Sequence, residues 1–213
     1  MRERLQSTQA KELIELVLMS DTHEQHKKVD VPHGDLLIHA GDFTYFNRSP
    51  SVVRDFNEWL HARPHRYKVL VPGNHEFGAV SSEWRDQITG AVVLINEGIE
   101  LAGLKIWGSS IPPNSTPEEL ERVYDRIPDG TDVLITHGPP WGILDRGAGP
   151  DGPQGCPRLL AAVRRIKPRI HVFGHVHEGY GQMRSAGTMF VNAALAEPGY
   201  ALTRQPIAIS IAL

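Results

Sequence analysis

Five stretches of the chain carry the oxygen and imidazole donors that divalent metals take: Asp21 with His23, Asp42, Asn74 with His75, His137, and His175 with His177. Each follows an apolar run. The sharpest is Val71-Pro72-Gly73-Asn74-His75-Glu76, where a run from Tyr67 stops at a Pro-Gly break and delivers an amide and an imidazole side by side. Asn74 is read as a metal ligand and His75 as the group that reaches past it to a substrate. The other donors bring the ligand set to two Asp, one Asn and four His, too many for one ion. Two octahedral or five-coordinate cations about 3.5–4 Å apart consume the set when one carboxylate bridges them. Asp42, which comes alone from its loop, is the natural bridge. Residues two apart in extended backbone point to the same side, so Asp21 with His23, and His175 with His177, are each expected to act as a clamp. Mixed carboxylate and imidazole ligation suits manganese, iron, zinc or cobalt better than magnesium or calcium. Of the six other histidines, His39 and His171 lie inside apolar runs and read as satisfied core groups, whereas His26, His33, His61 and His65 are expected at the surface.

The elements that must position these donors follow from hydrophobic periodicity. Leu13 to Met19, Asp35 to Ala40, Tyr67 to Val71, Asp132 to Thr136 and Ile170 to Phe173 are short apolar runs of buried-strand type, and each ends at one donor group. Ligands of α/β sheets bind beyond the carboxyl ends of strands, where separate loops meet. Val52, Val53, Phe56, Trp59 and Leu60 fall at helical spacing, which predicts a helix over Ser51–Ala62. A shorter helix is expected around Ser81–Gln87, and a strand over Ala91–Ile95. Ile99–Leu101 and Leu104–Trp107 form a hairpin across Ala102-Gly103. Thr116, Pro117 and Glu119 make a helix entry of capping-box type, leading to about Ile127. Asp145 to Pro157 is too rich in Gly and Pro for a regular element and reads as an exposed loop at the rim of His137, either a lid or a plain excursion. Leu159, Leu160, Val163 and Ile166 mark a further helix, and Met189–Val191 and Pro206–Leu213 supply the last strands. Residues 1–12 read as a polar tail and 13–213 as one domain, with no repeat or linker to divide it.

Composition narrows the classes of function. A net charge of −3 over 213 residues gives no basic footprint for long nucleic acid. No run approaches the roughly 20 apolar residues of a membrane span, and the polar N-terminus lacks the apolar core of a signal peptide. The single cysteine, Cys156, precludes an intrachain disulfide framework and suits a reducing compartment, so the expectation is a cytoplasmic enzyme. No general base belongs to Cys156, which reads as structural. The sequence does not specify an oligomeric state.

The ordered set Asp21-x-His23, Gly41-Asp42, Gly73-Asn74-His75-Glu76, Thr136-His137-Gly138 and Gly174-His175-x-His177 resembles the calcineurin-like metallophosphoesterase superfamily. The longer strings Leu37–Thr44, Phe56–Leu60, Ile135–Pro140 and His171–Gly181 resemble its metallophosphoesterase-domain-containing branch. The resemblance covers about Ile14 to the C-terminus. It implies an α/β fold, a four-layer αββα sandwich of two mixed β-sheets flanked by helices. It implies one metal held by Asp21, His23, Asp42 and His177, and a second by Asp42, Asn74, His137 and His175, with manganese first among the candidates. His75 becomes the substrate-facing histidine and Glu76 its neighbour. The implied activity is hydrolysis of small phosphodiesters such as 2',3'- or 3',5'-cyclic nucleotides by a metal-bridged hydroxide, with Asp42 and His75 as the catalytic residues. A phosphomonoesterase on the same site is the alternative, and a non-catalytic scaffold a more distant one. Asn74, His75 and Tyr180 are the candidate substrate contacts, Tyr180 and Trp141 as stacking partners for a base. The chain departs from the branch after Trp107-Gly108-Ser109, where the segment to Asn114 is short and lacks the expected aromatics.

Overall fold

In the computed structural model, residues 13–45, 50–79, 84–112, 114–147 and 152–213 are described. The polar tail, the start of the helix expected at Ser81 and the middle of the 145–157 loop lie outside them. The first sheet holds β1 (Leu13–Met19), β2 (Leu36–His39), β3 (Tyr67–Leu70) and β4 (Val92–Val93), all parallel, closed at one edge by the antiparallel C-terminal strand β11 (Ile207–Ala212). The second runs in the order β5 (Glu97–Leu101), β6 (Leu104–Ser109), β7 (Val133–Thr136), β8 (Ile170–Phe173), β10 (Thr188–Asn192) and β9 (Gly181–Ser185). Its three central pairs are parallel and its two edge strands antiparallel.

Strand alternation builds the layers. Leu16 and Leu18 of β1 pack inward with Ile38 and Val69 against Ile106, Val133, Ile135 and Val172, and this apolar slab separates the sheets. Val17 and Met19 point the other way, onto Val53, Phe56, Trp59 and Leu60 of helix α1 (Pro50–His61). The outer face of the second sheet, with Leu134, Phe173 and Phe190, is covered by α4 (Pro117–Asp125) and α5 (Pro157–Ile166) through Tyr124, Leu159, Val163 and Ile166. The short helices α2 (Asn74–Ala79) and α3 (Trp84–Gln87) complete the set, so the fold is an αββα sandwich. The capping box at Thr116 and Glu119 forms at the entry to α4.

Register brings the donors together. Met19 pairs with His39 and His39 with Leu70, so the loops after β1, β2 and β3 leave at one level. Ser20 bridges to Ala194 of the second sheet's side, and the Leu195 amide donates to the Ser20 carbonyl at 3.0 Å, joining the carboxyl-terminal rims of the two sheets.

Two expectations are corrected by packing. His26 and His65 are buried, not exposed. His26 sets its ring edge against Phe56 and Trp59 and pairs with Asp55 at 3.1 Å, and His65 donates to the Pro32 carbonyl at 3.0 Å. Asp145, expected in an exposed loop, is also buried; its carboxylate accepts the Gly142 and Gly155 amides and ties the loop onto itself. β9 was not legible as a strand, because four of its five residues are exposed and its apolar content is a single Met183. Among the described residues no helix is long and apolar enough to cross a membrane.

Candidate metal centre

The donors come from tight turns rather than extended segments. Asp21, His23, Asp42 and His175 all have positive φ, between 42° and 68°, a conformation non-glycine residues rarely adopt. The clamp expected from extended spacing is therefore made differently. The left-handed turn after β1 swings Asp21 and His23 to one side, held by Asp21 N–H to the Gly41 carbonyl (2.9 Å) and His23 N–H to the Asp42 carbonyl (3.1 Å). His177 reaches the same place from a 3-10 turn, His177–Gly179.

Asp21 Oδ1, His23 Nε2 and His177 Nε2 form one triangle, with separations of 3.4 Å between the two nitrogens, 3.4 Å from Asp21 to His177 and 3.9 Å from Asp21 to His23. A second group holds Asp42, His137 and His175. There His137 Nε2 stands 3.2 Å from Asp42 Oδ2 and 2.9 Å from Asn74 Oδ1. Adjacent ligands on a cation with bonds near 2.1 Å are separated by about 3.0 Å in octahedral and 3.4 Å in tetrahedral geometry. Two of the three separations in the first cluster, and the His137 separations from Asp42 and Asn74 in the second, fall at about that spacing, while Asp21 and His23 stand wider at 3.9 Å. Asp42 also shares a third grouping with His23 and His75, and so lies between the two clusters.

The surroundings prepare these nitrogens to accept. Nδ1–H of His23, His75, His137 and His177 donates to the carbonyl oxygen of Thr44 (3.0 Å), Tyr45 (2.7 Å), Ala40 (2.9 Å) and Glu197 (3.0 Å). In the neutral ring that leaves each Nε2 lone pair facing the donors of the site, the orientation seen in metal-ligating histidines. His75 Nε2 is 3.7 Å from Asp42 Oδ2, and its backbone amide donates to Asp42 Oδ1 at 3.0 Å. Asp42 is thus fixed from both sides.

Glu76, expected beside His75, turns away from it. Its buried carboxylate accepts the amides of Asp42 (2.8 Å), Thr44 (2.9 Å) and Gly73 (2.7 Å) and the Thr44 hydroxyl (2.9 Å). The bond back to Gly73, three residues earlier, is the reach of an N3 glutamate capping a helix, here α2. Glycine is required where these backbones cross. A Cβ on Gly73 would run into Asp42 Oδ1, and one on Gly174 into Asp21 Oδ2.

Charge is concentrated and mutually compensated. Burial alone would raise Asp21 and Asp42, yet His177 and His137 beside Asp21, and His137 beside Asp42, hold both carboxyls below the usual range. Burial likewise opposes a charged His137, but Asp42 lifts it to about 10. Loss of solvent where its ring packs among the donors, reinforced by His137, lowers His175 to about 4 although the residue as a whole is exposed, and His23 is lowered by burial. Burial and the charge of Asp42 push Glu76 up to about 6 against its hydrogen bonds.

Two cavities open on the donors. The smaller, ≈ 290 Å³, is lined by His23, Asp42, His75 and His177 and closed by Pro198 and Tyr200; the larger, ≈ 520 Å³, lies on the side of His137. Both touch Asn74, His175 and Gln154. Tyr180 lines neither. Its hydroxyl donates to the Gln205 carbonyl at 2.8 Å and Arg204 lies 5.1 Å over its ring, so it packs instead of facing a ligand. Trp141, although 43% exposed, is also outside both cavities. Among the described residues, Tyr200, 4.8 Å from the His23 ring and 4.7 Å from Tyr45, and Tyr45, 5.7 Å from the His23 ring, reach the donors. Sequence reasoning missed Tyr200 because no donor motif adjoins it; Tyr45, three residues after Asp42, could have been found by proximity.

Comparison with known proteins accords with this geometry. The sequence profile described as calcineurin-like phosphoesterase matches residues 9–179. The UPF0046 protein K07C11.7 of Caenorhabditis elegans is 37% identical over 221 residues, spanning 93% of this chain and 75% of the relative. Metallophosphoesterase domain-containing protein 1 of Homo sapiens is 37% identical over 229 residues, spanning 92% of this chain and 70% of the relative. Among solved structures, TT1561 of Thermus thermophilus superposes with a TM-score of 0.60 over 85% of this chain and 89% of its own, at 11% identity, a likeness of fold.

Proposed function

The chain belongs to the calcineurin-like phosphoesterase family, and from that premise we propose that it is a phosphodiesterase working through two divalent cations, manganese first among them, on small diesters such as cyclic nucleotides. The observation that carries this reading is the pair of donor clusters with Asp42 between them. Asp21, His23, Asp42 and His177 would hold one cation, and Asp42, Asn74, His137 and His175 the other. When bound, the cations would polarise the phosphoryl oxygens and acidify water for in-line attack. The chain's own residues do the rest. Asn74 and His137 orient the ester through the second cluster. His75 donates Nδ1–H to the Tyr45 carbonyl, which turns Nε2 toward the site, and when the ring carries both protons its Nε2–H can pass a proton to the departing alkoxide.

Charge supports a diester over a monoester. Among the described residues no Lys or Arg lines either cavity. Arg204, the nearest basic side chain in sequence to Tyr200, is bound to the carbonyls of His177, Ala194 and Ala196. A phosphomonoester carries about −1.5 to −2 near neutrality, and beyond the cations no Lys or Arg among the described lining residues is there to balance the second charge. A diester carries a single negative charge.

The test is a panel on manganese-loaded protein: bis(p-nitrophenyl) phosphate, p-nitrophenyl phosphate and 2',3'-cyclic AMP. The proposal expects both diesters to be turned over and the aryl diester to exceed the monoester. Faster monoester hydrolysis would reverse the diester assignment, and no hydrolysis at full metal loading would remove the enzymatic one.

A further inference from the structure

Two features of the sequence are not used by the metal chemistry: the short segment after Trp107 and the Gly/Pro-rich loop before α5. They meet at the larger cavity. Ser109 and Asn114 come from the first, Gln154 from the second, and Leu120 and Tyr124 of α4 form the wall behind them. At ≈ 520 Å³ the cavity has the size of a small-ligand pocket. No Asp, Glu, Lys or Arg is among its described lining residues. Leu120 and Tyr124 give it an apolar side. The side-chain amides of Asn114 and Gln154, which also line it, make no hydrogen bond to a described residue, which leaves both a donor and an acceptor for a ligand.

Position decides which part of an ester enters. His75, the group placed to protonate the leaving alkoxide, lines the smaller cavity and not the larger. The larger cavity is lined by His137, which does not line the smaller, whereas Asp42 and His75 line only the smaller. We propose that it is the subsite for the retained arm of the diester and takes an uncharged aromatic or heteroaromatic group with hydrogen-bonding edges, of nucleobase to nucleoside size. This rests on the phosphodiesterase reading and adds the determinant of its selectivity, the space lined by Ser109, Ile111, Pro112, Asn114 and Gln154.

The experiment keeps the leaving group constant and changes the retained arm. Bis(p-nitrophenyl) phosphate and methyl p-nitrophenyl phosphate both release p-nitrophenolate, and the variant Leu120→Trp fills the cavity from α4. The expected result is a loss of about tenfold or more in kcat/KM on the aryl diester, with the methyl diester changed less than about threefold, the scale at which a pocket discriminates by shape. Ser115→Trp fills the same cavity from the loop side and should reproduce the pattern should the α4 variant fold poorly. Equal losses on both substrates, or no loss on either, overturn the subsite. Calorimetry on the manganese-loaded wild type gives an independent readout: phenyl phosphate should bind about tenfold tighter than methyl phosphate, and Leu120→Trp should abolish the difference. Equal binding of the two by the wild type overturns the subsite whatever the turnover. A binding preference with no hydrolysis of either diester leaves the subsite standing and removes the phosphodiesterase.

Discussion

At the scale of single residues, Asn74 and His75 are adjacent in sequence and divided in orientation. Asn74 Oδ1 turns to His137, while His75 is tethered to Tyr45 and directs Nε2 over Asp42. His75→Ala should therefore keep both metals by elemental analysis and lose about 10²–10⁴-fold in kcat on substrates with poor leaving groups, less on nitrophenyl esters. Asp42→Ala should empty or scramble both positions, because Asp42 groups with His137 and His175 and also with His23 of the other cluster. A fully loaded, active Asp42→Ala protein would show that it bridges nothing. His137 sets a pH dependence. Its pKa, lifted to about 10 by Asp42, lies above the ordinary 6.5, so in the metal-free protein the ion pair stabilises the fold fully below pH 6.5 and is lost as pH rises through 10. A ligand histidine must be neutral, so a cation entering between those limits displaces the His137 proton. His177, raised by Asp21 despite its burial, acts in the same direction, whereas His23 and His175 are lowered and release nothing at neutral pH. Manganese affinity measured by calorimetry at pH 6.5, 7.5 and 8.5 should climb with pH, and a flat profile would contradict this.

At the scale of elements, the centre depends on how closely the turns after β1, β2, β3 and β8 approach one another. Gly73 and Gly138 separate crowding from position. Gly73→Ala drives its Cβ into Asp42 Oδ1, whereas Gly138, next to His137, has nothing within 4 Å of the added atom. Gly73→Ala should lose metal and activity, and Gly138→Ala should retain metal content close to that of the wild type; elemental analysis of the two proteins checks it. The strands that deliver the donors were legible because each is an apolar run closed by a polar break, and α1 and α4 were legible from periodicity and the Thr116 capping box. The turns were not. Left-handed backbone at Asp21, Asp42 and His175 is imposed by hydrogen bonds to distant segments, such as Asp21 N–H to Gly41 and His175 N–H to Asp21 Oδ2 at 3.0 Å. Asp and His enter this conformation more readily than most residues, but that preference is too weak to locate the turns. α2 was read as loop because six residues are too few to show a period, and its start is set by Glu76 reaching back to Gly73. The expectation fell on Tyr180 because it adjoins a motif, whereas Tyr200, which no motif marks, is brought to His23 by the segment after β10.

At the scale of the whole molecule, two sheets packed through Leu16, Leu18, Ile106, Val133 and Val172 hold their carboxyl-terminal rims together, and seven donors from five loops meet where the rims join. Membership of the calcineurin-like phosphoesterase family makes phosphoester hydrolysis the frame for that geometry. The central claim is that a metal pair, not one ion, does the work. It is tested most directly by adding manganese in measured equivalents to metal-free protein and following hydrolysis of bis(p-nitrophenyl) phosphate. Activity should stay low through the first equivalent and reach its plateau at two per chain. A plateau at one equivalent, or full activity without added or residual metal, would contradict it.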